Sequence, residues 1–162
     1  MSRIQDRLFL ITQLVKVTEK EARYLTRTAN RLNELNINLS WVESLDNNDL
    51  HSEMLDAFVS RYGRLQDTLG DKLLPAMLRG SLEKTGSQLD NLLRAEKLGW
   101  IESTQIWIEM RELRNRLVHE YHEYIESPGN LLSALQQALK WVTILIETQD
   151  RMANYVKTIE QI

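Results

Sequence analysis

The stretch STQIWIEMRELRNRLVHEYHEY, residues 103–124, governs how the rest of the chain is read. It holds no glycine or proline and opens on Ser103 or Thr104, residue types that cap helix N-termini. Turned at about 100° per residue, Trp107, Met110, Leu113, Leu117, Val118, Tyr121 and Tyr124 fall on one arc roughly 140° wide. That is the apolar face of an amphipathic helix rather than the alternation of a strand. Downstream, Ser127-Pro128 supplies a cap and a first-turn proline for another helix, which sends Leu131, Leu135, Leu139, Val142, Leu145 and Ile146 inward. Upstream, Ser87-Gln88-Leu89-Asp90 has the serine-to-acid spacing of a capping box and opens a short helix that ends at Gly99.

Two longer segments complete the reading. Residues 3–36 keep a three-four spacing at Ile4, Leu8, Ile11, Val15, Ala22, Leu25, Ala29 and Leu32. Residues 50–79 carry Leu50, Met54, Phe58, Tyr62, Leu65, Leu69, Leu73 and Met77 on one side. Pro75 lies inside this second segment, lacks an N–H and would meet the carbonyl of Asp71, so a kink or a stop and restart is expected there. Between the two long segments, residues 36–40 and 46–49 favour turns, and Trp41, Val42 and Leu45 are placed to close one end of the core. The expectation is an all-α, up-and-down antiparallel bundle of four long helices plus a shorter one, in a single domain spanning residues 1–162.

Composition narrows the function classes. The chain has 162 residues, no cysteine, two prolines, six glycines and a formal net charge of −3. A disulfide scaffold or a thiolate metal site is impossible without cysteine. No run reaches the ~18 apolar residues of a membrane span. Asp6 and Arg7 interrupt the N-terminal apolar run, which reads as no signal peptide and points to a cytoplasmic protein. The acidic balance also argues against a protein that coats nucleic acid electrostatically.

The helix over residues 103–124 violates its own stripe. Arg114 lies inside the apolar arc, about 20° from Tyr121. A guanidinium keeps its charge, and burying it unpaired costs several kcal/mol. It therefore needs a carboxylate from another segment, a wet cleft or an anionic ligand, unless its stem lies along the core with the head in solvent. Glu120 and Glu123 point the wrong way to serve. The flanking face carries Arg111, His122, Asn115, His119, Glu112 and Glu123. His119 differs from Arg114 by about 140° in direction, so both reach one phosphate only from a groove edge or across two chains. His119, His122 and Glu123 have the spacing of a partial metal site, but no second helix supplies matching ligands, and none is assigned. His51, near a helix start, reads as a surface residue.

Residues 110–121, MRELRNRLVHEY, resemble the signature of the HEPN superfamily, and in particular the HepT-like toxins of HEPN–MNT toxin–antitoxin pairs, whose motif is Arg-x4-His-x-Tyr. Arg114, His119 and Tyr121 complete that motif, and Asn115 supplies its polar residue. Residues 58–79 and 95–107 also resemble the bundle helices of these toxins. The resemblance implies a metal-independent endoribonuclease without cofactor, dimeric, and neutralised by a cognate nucleotidyltransferase-fold (MNT-type) antitoxin. It implies Arg114 and His119 as catalytic residues with Asn115 in support, and Tyr121 as the residue the antitoxin adenylylates. The chemistry suits these residue types. RNA carries its own nucleophile, a histidine can move a proton near neutral pH, and an arginine can pair with the phosphate oxygens. A non-catalytic HEPN-fold binding partner of a nucleotidyltransferase is the alternative. Locally, Arg111, Arg114 and Arg116 face only Glu112, a balance of +2 that a homodimer would double at one cleft.

Overall fold

The computed structural model describes residues 3–160, whose regular structure is all helical, with no strand among them. Helix α1 (Arg3–Asn33) buries Ile11, Val15, Ala22, Leu25, Ala29 and Leu32, as its periodicity predicts. It ends three residues before the expected boundary, in a turn that bonds Leu35 N–H to Leu32 O. Its first turns depart from the reading, because Ile4 is 73% exposed and Leu8 only half-buried. Arg7 reaches the carbonyl of Arg79 at the end of α4 and Thr12 reaches Glu160, so among the described residues little lies further out to cover Ile4.

A short helix α2 (Leu39–Glu43), capped by Asn38, and a 3₁₀ turn (Leu45–Asn47) follow. They bury Trp41, Val42 and Leu45 at one end of the core. Asn48 caps α3 (Asp49–Asp67) by accepting from His51 N–H at 3.0 Å. His51 is not the free surface residue expected of it. Its ring lies 5.5 Å from Trp41 and its Nδ1 is 3.0 Å from the Asn48 amide, because the cap folds the first turn back over α2.

The segment read as one helix from residue 50 to 79 is divided. A π-helical stretch (Thr68–Leu73) separates α3 from α4 (Leu74–Gly80), with Leu74 N–H bonded to Leu69 O, five residues back. Pro75 cannot return a hydrogen bond to Asp71, and a widened turn just ahead of it gives its ring the clearance a regular turn denies. Then come α5 (Gln88–Lys97), with the Ser87–Asp90 capping box formed, α6 (Thr104–Glu123), capped by Ser103, and α7 (Pro128–Glu160). Gly99, at φ +80°, lets Trp100 N–H turn back to Ala95 O.

Paired residues give the directions. Thr28 meets Arg61 and Glu21 meets Thr68, so α1 and α3 are antiparallel. Asp67 meets Arg114 and Asp71 meets Arg111, so α3 with its π extension and α6 are antiparallel too. Thr12 meets Glu160 and Thr18 meets Gln149, which sets α7 against α1. The four long elements thus surround one cluster of buried side chains running from Ile11 to Val156, and α5 packs against α4 and α6 and adds Leu92 and Ala95 to it.

Leu82, just past α4, holds a left-handed backbone (φ 59°) while its side chain is 82% exposed. A β-carbon in that conformation costs about 1 kcal/mol, and this side chain contributes no burial in return. Leu82→Gly should raise the thermal midpoint by roughly 2–4 °C. A circular-dichroism melt that is unchanged or lower contradicts this account of the turn.

Candidate functional site

Arg114 leaves α6 toward α3 and crosses Gly63. A methyl group on Gly63 would lie 2.9 Å from Arg114 Nε, so the absence of a side chain there is what admits the guanidinium. Arg114 Nη2 donates to Asp67 Oδ2 at 2.8 Å and Nη1 to Asn115 Oδ1 at 3.3 Å. Nε is buried over Gly63 without a hydrogen-bond partner. Of the alternatives open from sequence, a carboxylate from another segment is realised. The head is neither fully buried nor free in solvent, with the side chain 33% exposed.

One turn along, Arg111 Nη2 contacts Asp71 Oδ1 at 3.3 Å. Asp67 and Asp71, four apart, therefore meet Arg114 and Arg111, three apart, as two rungs across the α3–α6 seam. Both pairs are partly exposed, and each contributes no more than about 1 kcal/mol to stability. Their larger effect is on charge. The +2 balance expected around Arg114 is offset by two acids from the facing helix, which sequence reasoning missed because register between helices is not written in either one. Gly63, an isolated glycine within a helical pattern, was the available signal that something approaches closely there.

The seam opens into a groove of about 560 Å³ lined by Gly63, Arg64, Asp67, Asp71, Lys72 and Arg114, among others. Arg64 and Lys72 restore a positive edge. His119 does not line this groove. It is exposed on α6 and makes no hydrogen bond or ion pair among the described residues. Asn115, also exposed, touches only the Arg114 head among the candidate residues.

Tyr121 lies two turns beyond Arg114, half-buried, with its ring edge-on to His122 at 5.5 Å. Burial raises the pKa of its phenol, and the charge and hydrogen bonding of Asp56 raise it further. Within one chain the structure thus joins Arg114 to Asn115, and leaves His119 and Tyr121 separate from the groove. Among the described residues, no group of three or more His, Asp or Glu side chains is placed to hold a metal ion. No helix among the described residues is long and apolar enough to cross a membrane. The chain matches no protein-family model, no curated protein and no solved structure, so its own geometry carries the functional reading.

Proposed function

We propose that this protein is a metal-independent endoribonuclease of the HEPN type, acting as a toxin within a toxin–antitoxin pair. The observation that carries the reading is an arginine seated over a glycine in a positively edged groove, on the same helix as an exposed histidine in Arg-x4-His-x-Tyr spacing. The 2′-oxygen of RNA attacks the adjacent phosphorus and its proton passes to His119. The bond to the 5′-oxygen breaks, and that oxygen leaves with a proton from the imidazolium or from water. Arg114 pairs with the non-bridging oxygens as charge gathers there, in place of its bond to Asp67.

Arg114 and His119 diverge on one helix, so a homodimer whose α6 helices line a shared cleft completes the site. A nucleotidyltransferase-fold antitoxin silences it by adenylylating Tyr121. Burial and the nearby charge of Asp56 raise the pKa of that hydroxyl, which leaves its deprotonation to the transferring enzyme.

The test is incubation of the purified full chain with single-stranded RNA in EDTA. Fragments ending in 2′,3′-cyclic phosphate are expected, and RNA that stays intact at high protein concentration rejects the reading. One observation favours the alternative of a non-catalytic partner of a nucleotidyltransferase: Asp67 already occupies Arg114 and His119 stands apart from it. Binding of the nucleotidyltransferase without any RNA cleavage would select that alternative.

A further inference from the structure

On the α1–α3 side of the bundle, three cations gather round one aromatic ring. Lys20 Nζ lies 5.6 Å from the centroid of Tyr24, Arg27 Cζ 5.5 Å and Arg61 Cζ 5.3 Å. Lys20 and Arg27 are exposed, and Tyr24 and Arg61 half-buried. Arg61 is fixed in place by Thr28 Oγ1 at 2.6 Å and the Tyr24 carbonyl at 3.2 Å. No carboxylate lies within 4.0 Å of any of the three cations among the described residues.

The ring face offsets part of their mutual repulsion. Like charges collected without a carboxylate in contact favour a polyanion. Two further features select its kind. The guanidinium of Arg27, exposed and held against the Tyr24 ring, offers a planar surface on which a base can stack, a pairing that single-stranded nucleic-acid sites use. The positive path also continues. Arg64 follows Arg61 by one turn on the outer face of α3 and lines the groove that holds Lys72 and Arg114. Along the α3 axis, Arg61 and Asp67 are about 9 Å apart, a step or two of an extended strand. Glu21, hydrogen-bonded by Thr68 and close to Arg64 and Lys72, is the acid at the border of this path.

We propose that Lys20, Tyr24, Arg27, Arg61 and Arg64 form a docking track for single-stranded RNA, which delivers the strand to the Arg114 groove. The assignment of the strand as RNA rests on the ribonuclease reading above. The contacts are to backbone phosphates with one stacked base, so the track grips without reading sequence.

The test uses the full chain and a labelled 2′-O-methyl oligonucleotide of about a dozen residues, which lacks the nucleophile and cannot be cut. Fluorescence anisotropy at 50 and 200 mM salt should show Lys20→Gln/Arg27→Gln binding about tenfold more weakly than the parent. Its salt slope should be shallower by about 1.4, two phosphate contacts at ~0.7 each. Tyr24→Leu, which removes the ring that holds the three cations together, should lose about tenfold. The double variant keeps the test decisive should Tyr24→Leu fail to fold. Lys97→Gln/Lys140→Gln removes the same charge from α5 and α7 and should bind like the parent.

Equal weakening by both double variants, no weakening by either, or no binding by the parent at 50 mM salt overturns the track. So does binding to phosphatidylserine vesicles without binding to the oligonucleotide. Cleavage of ordinary RNA in EDTA is scored separately. Track-dependent binding without cleavage removes the ribonuclease reading and leaves the track, whereas cleavage indifferent to Lys20 and Arg27 removes the track alone.

Discussion

His119→Ala should lower RNA cleavage by a factor of about 10²–10⁴ while leaving the melting temperature unchanged. Both halves of the expectation come from position. The imidazole is exposed and makes no bond to the rest of the described structure, so its removal takes nothing from the core. If it carries the proton of the attacking 2′-hydroxyl, however, no neighbour on α6 can replace it. Glu120 follows it by one position and therefore points about 100° away. His122, the other imidazole on that helix, points about 60° away and lies edge-on to the Tyr121 ring, so it meets a phosphate at His119 from a different direction. Single-turnover cleavage beside a thermal melt separates the cases. Undiminished cleavage in His119→Ala would remove histidine from the chemistry and leave Arg114 without a proton-transfer partner on its helix.

The largest effect on stability is expected at Trp107. The residue is 3% exposed, and its indole packs against the backbone of the π-helical stretch at Gly70. A methyl group on Gly70 would lie 3.1 Å from Trp107 Cζ2 and 3.2 Å from Nε1, so this glycine exists to seat the indole. Trp107→Ala leaves a hole whose floor has no side chain that could move in. The cost is about 3–5 kcal/mol, equivalent to a fall of roughly 6–20 °C in the thermal midpoint for a chain of this size. Trp107→Phe, which keeps a ring on Gly70, should cost clearly less. A loss below about 1 kcal/mol for the alanine variant in urea unfolding would mean that the seam closes up, contrary to the fixed spacing of α6 over α3.

The helices were legible because each carries its own periodicity and caps. Asn38, Asn48, Ser87 and Ser103 stand where side-chain oxygens meet the first free N–H groups. Arg114 was legible as an anomaly because a charge inside an apolar arc contradicts the pattern around it. Its partner was not. Asp67 lies on the flank of α3, and only the packed register of two helices brings it to 2.8 Å from the guanidinium. The cation cluster at Tyr24 escaped notice for a similar reason. Lys20 and Arg27 share a face of α1, but Arg61 comes from another helix.

The π-helical stretch left a trace that went unread. Leu65, Leu69, Leu73 and Met77 advance in fours and are all fully buried. In a regular α-helix each such step drifts about 40°, and three steps would carry Met77 a third of the way round. A wider turn cancels that drift.

That wider turn also sets the phase of everything after it. The extra residue it accommodates fixes the angle at which Asp71 leaves the helix, and Asp71 is the rung that meets Arg111. Shortening residues 68–73 by one would preserve the apolar face of α3 but rotate its continuation by about 100° relative to α6. In any lineage that carries this bundle, a one-residue gap at this point would divide chains that retain the second rung from chains that have lost it. With Asp71 in place, the number of residues there decides whether Arg111 is held or set free.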